Sequence, residues 1–436
     1  MTQTPSPLGT ARTGAGAQDL PAMALSMEKL AVATNRGGEL IFFVLGETGL
    51  GIWLPGTQRG QWTQNFLTVA WRPDLQVTDF DMISNCGQGR NDDTIDLLLL
   101  VAPQGNANNS LAFYLPALPF STDLNVWAAF FANAMSLAAQ MPVVSQARLG
   151  LLTKATRSVF LMKHSSTVGM AAMRCDFSEA GRVVGTYPIT LVNPAIGLAS
   201  QLKIAACVAT RYPSYFEEED AMVIAGASLD EAPSAGDAPK SGVEVHIPKT
   251  PAGDAWARQL NSPVATEPTW PTLGLISSVI APDPNDSCAV INPFSGMDDP
   301  LSQKNWVISK DALFLGKPMP ALPSPPGAGP TWRGAPQAVW TPPEGQKPGR
   351  WHWFQVFCVG PDDFTPSLCE SQSVLLLDPG AFTEWVIGAD LFHAVARPNQ
   401  AHGSTALTVL CCDVNSNLYL GTKDPVTGLW DYITIA

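Results

Sequence analysis

The chain has 436 residues, 46% of them apolar and only 14% charged, which excludes a largely disordered protein and supplies material for a substantial core. Lys and Arg number 25 against 38 Asp and Glu, a formal net charge of -13, so the overall field repels nucleic-acid phosphates and anionic lipid surfaces, and neither is an expected partner. No run approaches the roughly 18 apolar residues of a membrane span, and without a basic, apolar leader the chain is expected in the cytoplasm, or secreted by a route that uses no standard signal peptide.

Residues 1–26 read as a flexible arm and residues 27–436 as one β domain. The repeat starts with KLAVAT, ELIFFVLG, GLGIWLPG and QWTQNFLTV, four short strands separated by turn residues. The second of them, Leu40 to Leu45, is apolar at every position, as a strand covered on both faces must be. The same order recurs down the chain: a strand closed by Pro, Gly or a polar turn, a loop, and an aromatic residue opening another strand. Trp62, Trp127, Trp256, Trp306, Trp385 and Trp430 mark six units, and Tyr187 takes the aromatic place between Trp127 and Trp256. Their mean spacing is about 61 residues, longer than common propeller repeats by an amount that loops supply. An all-β propeller of seven four-stranded blades is the expected fold; the uneven spacing leaves six or eight open.

Some segments depart from strand. STDLNVWAAFFANAMSLAAQMP has helical spacing, with Asp123 as cap and Pro142 as stop, so a short helical insertion is expected near 123–140, either replacing an outer strand or decorating it. GDAWARQL reads as a shorter helical turn of the same kind. The stretches 227–242 and 317–349 are rich in Pro, Gly, Ser and Ala and are expected to be irregular loops; PMPALPSPP within the second has the composition of a polyproline II ligand as well as of an ordinary loop. The last unit runs to DYITIA, so the first and last blades are expected to meet, with part of the N-terminal arm adding an outer strand.

The residues that carry common chemistries are sparse. Eight cysteines show no CxxC spacing and most lie in apolar strand-like runs, as reduced core thiols do. His164, His246, His352, His393 and His402 are scattered, so no metal site and no cofactor is expected, unless three of them converge in a central channel. GxSxG, GxxxxGK[ST] and GxGxxG are absent. Asp79, Asp81, Asp92, Asp93, Asp96, Asp298, Asp299, Asp362 and Asp363 form the pool from which a paired-carboxylate hydrolase would draw, although most sit where Asp caps a turn. DVNSN, with Asp413, Asn415 and Asn417, has oxygens at alternate positions like a Ca²⁺ loop, but its place between two strands fits a hairpin turn better.

One ring per blade has two uses: stacking on sugar rings, or sealing the seam between blades. NLYLGTKDPVTGLWDYITI and GELIFFVLGETGLGIWLPGTQRGQW resemble the repeats of tectonin-type and related bacterial and fungal lectin propellers, in which a strand, a short polar turn and a Trp-bearing strand recur. The resemblance spans these two units and implies carbohydrate binding without catalysis. The expected function is thus that of a non-enzymatic, lectin-like propeller for a glycan or small molecule, with Trp53, Trp62, Tyr419 and Trp430 as ligand-binding candidates. The alternatives are a hydrolase, lyase or cyclase with its site in the central channel, and a protein-interaction scaffold using the Pro-rich and acidic loops.

Overall fold

The computed structural model describes residues 12–13, 27–47, 49–56, 61–66, 74–84, 93–103, 109–121, 123–150, 156–165, 169–178, 180–192, 202–213, 218–228, 241–248, 255–264, 276–279, 288–291, 306–309, 337–358, 365–373, 384–399 and 404–435; from residue 189 to 336 the description is of backbone alone.

Short polar turns between apolar runs produce antiparallel hairpins, and these repeat. After β1 (Arg12–Thr13), the first group is β2 (Met27–Thr34), β3 (Leu40–Gly46), β4 (Gly49–Pro55) and β5 (Trp62–Phe66). The second is β6 (Leu75–Ser84), β7 (Thr94–Pro103), β8 (Leu111–Pro119) and β9 (Met135–Ser136), with helix α1 (Leu124–Ala132) between its last two strands. The third comprises β10 (Gln146–Gly150), β11 (Thr156–Ser165), β12 (Gly169–Ser178) and β13 (Val183–Val192). The fourth is β14 (Leu202–Pro213), β15 (Glu218–Ser228), β16 (Ser241–Pro248) and β17 (Ala255–Val264). Three strands of the fifth are described: β18 (Ile276–Val279), β19 (Cys288–Ile291) and β20 (Trp306–Ser309). The sixth is β21 (Gln337–Thr341), β22 (Arg350–Cys358), β23 (Pro366–Ser373) and β24 (Glu384–Gly388). The last is β25 (Leu391–Asn399), β26 (Ser404–Cys412), β27 (Leu418–Lys423) and β28 (Trp430–Thr434).

The first strand of each group lies beside the first strand of the next, from β2 through β6, β10, β14, β18 and β21 to β25, and β25 returns to β2. This is a β-propeller: inner strands ring an axis, and each sheet is covered by its neighbours. Two outer-edge pairings add to it. Thr190–Val192 of β13 run parallel to Ala255–Ala257 of β17, joining the third and fourth groups into one continuous sheet. Arg12–Thr13 pair parallel with Ile433–Thr434, so residues of the N-terminal arm do supply an outer strand to the last sheet.

Burial on both faces explains the unbroken apolar runs. Along β3, Ile41, Phe43 and Leu45 enter the cluster shared with the second sheet, whereas Leu40, Phe42 and Val44 enter the cluster shared with the last. All seven residues of the strand are buried. Each large side chain so placed contributes roughly 1.5–3 kcal/mol.

An inner strand has no partner on its axial side, and side chains of the adjacent group cap its free backbone. Val32 donates its N–H to His393 Nδ1 (3.3 Å), Leu149 to Asp81 Oδ2 (2.8 Å), and Ala394 to Gln337 Oε1 (2.7 Å). Gln337 Nε2 in turn donates to the Ala394 carbonyl (3.0 Å), and Ser84 Oγ to the Thr34 carbonyl (2.6 Å).

Three local expectations change. The helix begins as expected, with Asp123 accepting the N–H of Asn125 (2.8 Å), but ends at Ala132, because Met135 and Ser136 pair with Tyr114 and Phe113 as a short fourth strand. It therefore adds to that strand and does not replace it, and it drives Trp127 and Phe131 into the core between the first two sheets. GDAWARQL is not helical: from Ala255 it belongs to β17, where ladder pairing with β16 outweighs local propensity. Within 317–349, Gln337–Thr341 form β21 instead of loop; residues 317–336, with PMPALPSPP, lie outside the described residues, as do 229–240. No described helix is long and apolar enough to cross a membrane.

Candidate functional site

The inner strands bring together charged residues from three units. Asp79 on β6 accepts from Lys29 Nζ of β2 (2.9 Å) and Arg148 Nη1 of β10 (2.6 Å), forming a bridge across three groups near the axis. Burial pushes the Asp79 carboxyl up, but the charges of Arg148 and Lys29 and their hydrogen bonds prevail and hold it well below the usual carboxylate range. A carboxylate so fixed has no proton to give near neutral pH, and its neighbour Asp81 is committed to the Leu149 N–H.

The other carboxylates of the pool are dispersed. Asp93 accepts the Arg36 N–H (2.9 Å), and Asp96 is buried against Arg157 (3.1 Å) and the Tyr114 hydroxyl (3.1 Å). Asp92, Asp298, Asp299, Asp362 and Asp363 lie outside the described residues. In DVNSN, Asp413 Oδ1 accepts the N–H groups of Asn415 (2.8 Å) and Asn417 (2.9 Å), and Oδ2 accepts from the Asn417 amide (2.8 Å) and Tyr419 hydroxyl (3.3 Å), closing a hairpin turn between β26 and β27. Among the described residues, no group of three or more His, Cys, Asp or Glu is placed to hold a metal ion. Cys175, Cys369, Cys411 and Cys412 are buried free thiols; burial pushes the Cys175 thiol up to about 12.

The four aromatic candidates divide between the two seams that flank the last sheet. Trp53 and Trp62 face the seam between the last sheet and the first. Trp53 is 0% exposed, opposite Phe42, and presents no face to a ligand. Trp62 is half-buried and rests on Phe42 with centroids 4.1 Å apart. The indole N–H groups of both find no acceptor among the described residues.

Trp430 and Tyr419 lie on the opposite face, toward the sixth group. The register pairs Lys423 with Trp430, Gly421 with Tyr432 and Tyr419 with Thr434, so period-two alternation places all six on one surface. The Trp430 and Tyr432 rings stack, 6.2 Å apart and 19° from parallel. They lie over Gly421, where a Cβ would come within 2.7 Å of Tyr432 Cε1 and 3.3 Å of Trp430 Cε3; only glycine leaves room for this shelf. Both rings are half-buried, and the Tyr432 hydroxyl donates to the Val386 carbonyl (2.6 Å) across the seam.

Behind the shelf sits a buried polar cluster that was not among the sequence candidates. Glu370 of β23, 1% exposed, receives His352 Nδ1 on Oε1 (2.8 Å) and both Lys423 Nζ (2.6 Å) and Trp430 Nε1 (3.1 Å) on Oε2. Gln372 Nε2 reaches Oε1 (3.3 Å), Thr341 Oγ1 lies 3.0 Å from His352 Nε2, and Lys423 Nζ sits 5.5 Å from the Trp430 ring centroid. Burial pushes the Glu370 carboxyl up, yet the His352 hydrogen bond and the Lys423 charge and hydrogen bond bring it below its ordinary value. The legible signal was a lone acidic residue inside the strand SLCESQS, a position that an unpaired charge rarely occupies.

No family model and no curated protein matches the sequence. Solved structures similar to the chain include the six-bladed β-propeller fungal lectin of Aleuria aurantia, at 9% identity over 94% of this chain and 96% of that one, with a TM-score of 0.34. The WD40 domain of SCAP from fission yeast is 9% identical over 94% and 87%, at 0.40. The GH43_1 enzyme from Xanthomonas citri is 10% identical over 66% and 85%, at 0.32.

Proposed function

We propose that this chain is a non-enzymatic, carbohydrate-binding propeller whose ligand stacks on the Trp430–Tyr432 shelf at the seam between the sixth and last groups. The observation that carries this reading is the state of Trp430: half-buried and fixed from behind by a hydrogen bond to a buried carboxylate. A ring already held in place loses little entropy when a sugar lays its C–H face on it. Tyr419 stands farther along the same surface, and Trp62 offers a comparable ring at the neighbouring seam; Trp53 supports that seam from within. The bridged state of Asp79 favours binding over hydrolysis as the role of the chain.

Single-site affinity is expected to be weak, in the millimolar range that corresponds to about 4 kcal/mol. Titrating the protein with monosaccharides should give saturable quenching of tryptophan fluorescence, lost in Trp430→Ala and retained in Trp53→Phe. Absence of saturable binding across a glycan panel would end the carbohydrate reading.

A further inference from the structure

Glu370 occupies a seam that apolar side chains would fill at no loss of stability, since a buried ion pair is commonly matched by well-packed hydrophobic residues of the same volume. The same seam holds Val339, Phe354, Val356, Leu368 and Val409. A second buried pair, Asp96 with Arg157, lies between the second and third groups, but the ring bonded to it, Tyr114, is 0% exposed. At Glu370 the bonded ring is only partly buried. Its four described donors come from both sides of the seam: His352 and Gln372 from the sixth group, Lys423 and Trp430 from the last. The carboxylate is thus held from both sheets and in turn holds the Trp430 ring of the last one.

We propose that Glu370 is a positioning residue for the ligand platform: anchored by His352 and Lys423, it sets the plane of the Trp430 indole, and because its charge and that of Lys423 are spent on each other inside the seam, the platform accepts a neutral sugar ring. Lys423 is 8% exposed and Glu370 1%, so neither presents a charge to an acidic sugar. This inference rests on the carbohydrate reading above.

The test compares the wild type, Glu370→Gln, Trp430→Phe and Trp430→Ala by calorimetric titration with glucose, galactose, fucose and N-acetylglucosamine, and with glucuronic acid as the acidic arm. The indole ¹⁵N–H resonance of Trp430, identified by its loss in Trp430→Phe, is followed in the wild type and in Glu370→Gln. Glu370→Gln and Trp430→Phe are each expected to weaken the best neutral sugar at least tenfold, and Glu370→Gln to move the indole resonance. Wild-type affinity in either variant, an unmoved resonance in Glu370→Gln, or preference for glucuronic acid would overturn the proposal. Trp430→Phe leaves the Glu370, His352 and Lys423 contacts intact and decides the matter if Glu370→Gln fails to fold. Trp430→Ala binding as tightly as the wild type would instead remove the ligand from this shelf, defeating the functional reading itself; the indole resonance judges Glu370 with no ligand present.

Discussion

Trp53→Ala is expected to destabilise the protein by about 3–5 kcal/mol, the range for deleting a fully buried indole from a packed core. The ring is 0% exposed and packs with Phe42, Leu410, Leu418 and Leu420 where the first sheet meets the last. A cavity there acts on the junction that closes the circle, which other contacts also fasten. One is Arg397, whose Nη1 donates to the Gly38 carbonyl (2.9 Å) across the same junction, and whose Nε donates to Thr408 Oγ1 (2.9 Å). Gly38 itself has φ +73 and abuts the Pro398 carbonyl so closely that any Cβ would collide with it. Urea unfolding provides the measurement: a loss below about 1 kcal/mol would mean that Trp53 does not seal this seam. Sugar binding at Trp430 should be unaffected by Trp53→Phe, which keeps the seam filled and separates packing from recognition.

Lowering the pH from 7 to 4 is expected to cost on the order of 3 kcal/mol of stability through His393 alone. Burial, helped by the charge of Lys29, lowers this histidine to about 4, and its Nδ1 accepts the Val32 N–H, a bond that requires the unprotonated nitrogen. In the unfolded chain the imidazole titrates near its ordinary value of 6.5. Between those values the unfolded state takes up a proton that the folded state refuses, so stability falls as pH drops through 6.5 and levels off for this group near 4. Asp79 and Glu370 act lower on the scale. Their folded-state values are depressed, so their contribution is present above the ordinary carboxylate range and is lost as pH falls below it. Urea midpoints measured from pH 7 to pH 4 should therefore decline throughout, and His393→Leu should flatten the upper part of that decline. A flat wild-type profile would show that His393 titrates normally in the folded protein.

The kind of element and its environment could be read from the order of residues alone. ELIFFVLG is apolar without alternation because both faces of β3 are buried, and that property is written in consecutive residues. DVNSN reads as a hairpin turn because an Asx side chain bonds backbone within four residues of itself. The aromatic markers were legible for the same reason: Trp62, Tyr187, Trp256, Trp306, Trp385 and Trp430 all open or occupy the last described strand of their groups, and Trp127 departs from them on α1.

Everything that depends on a neighbouring sheet came only with the packed fold. Trp53 and Trp430 are the same residue type in similar strands, but one is closed between two sheets and the other is half-buried above Glu370, a residue 60 positions away. Asp79 reads as a possible acid until Lys29 and Arg148, 50 and 69 positions distant, meet it across the inner strands. GDAWARQL reads as a helical turn until β16 supplies a ladder to its residues from Trp256 on. Local periodicity records how much of a strand is covered; which side chain does the covering is settled when sheets far apart in the chain come into contact, because charge pairing and stacking act over a few ångströms of space regardless of separation along the backbone.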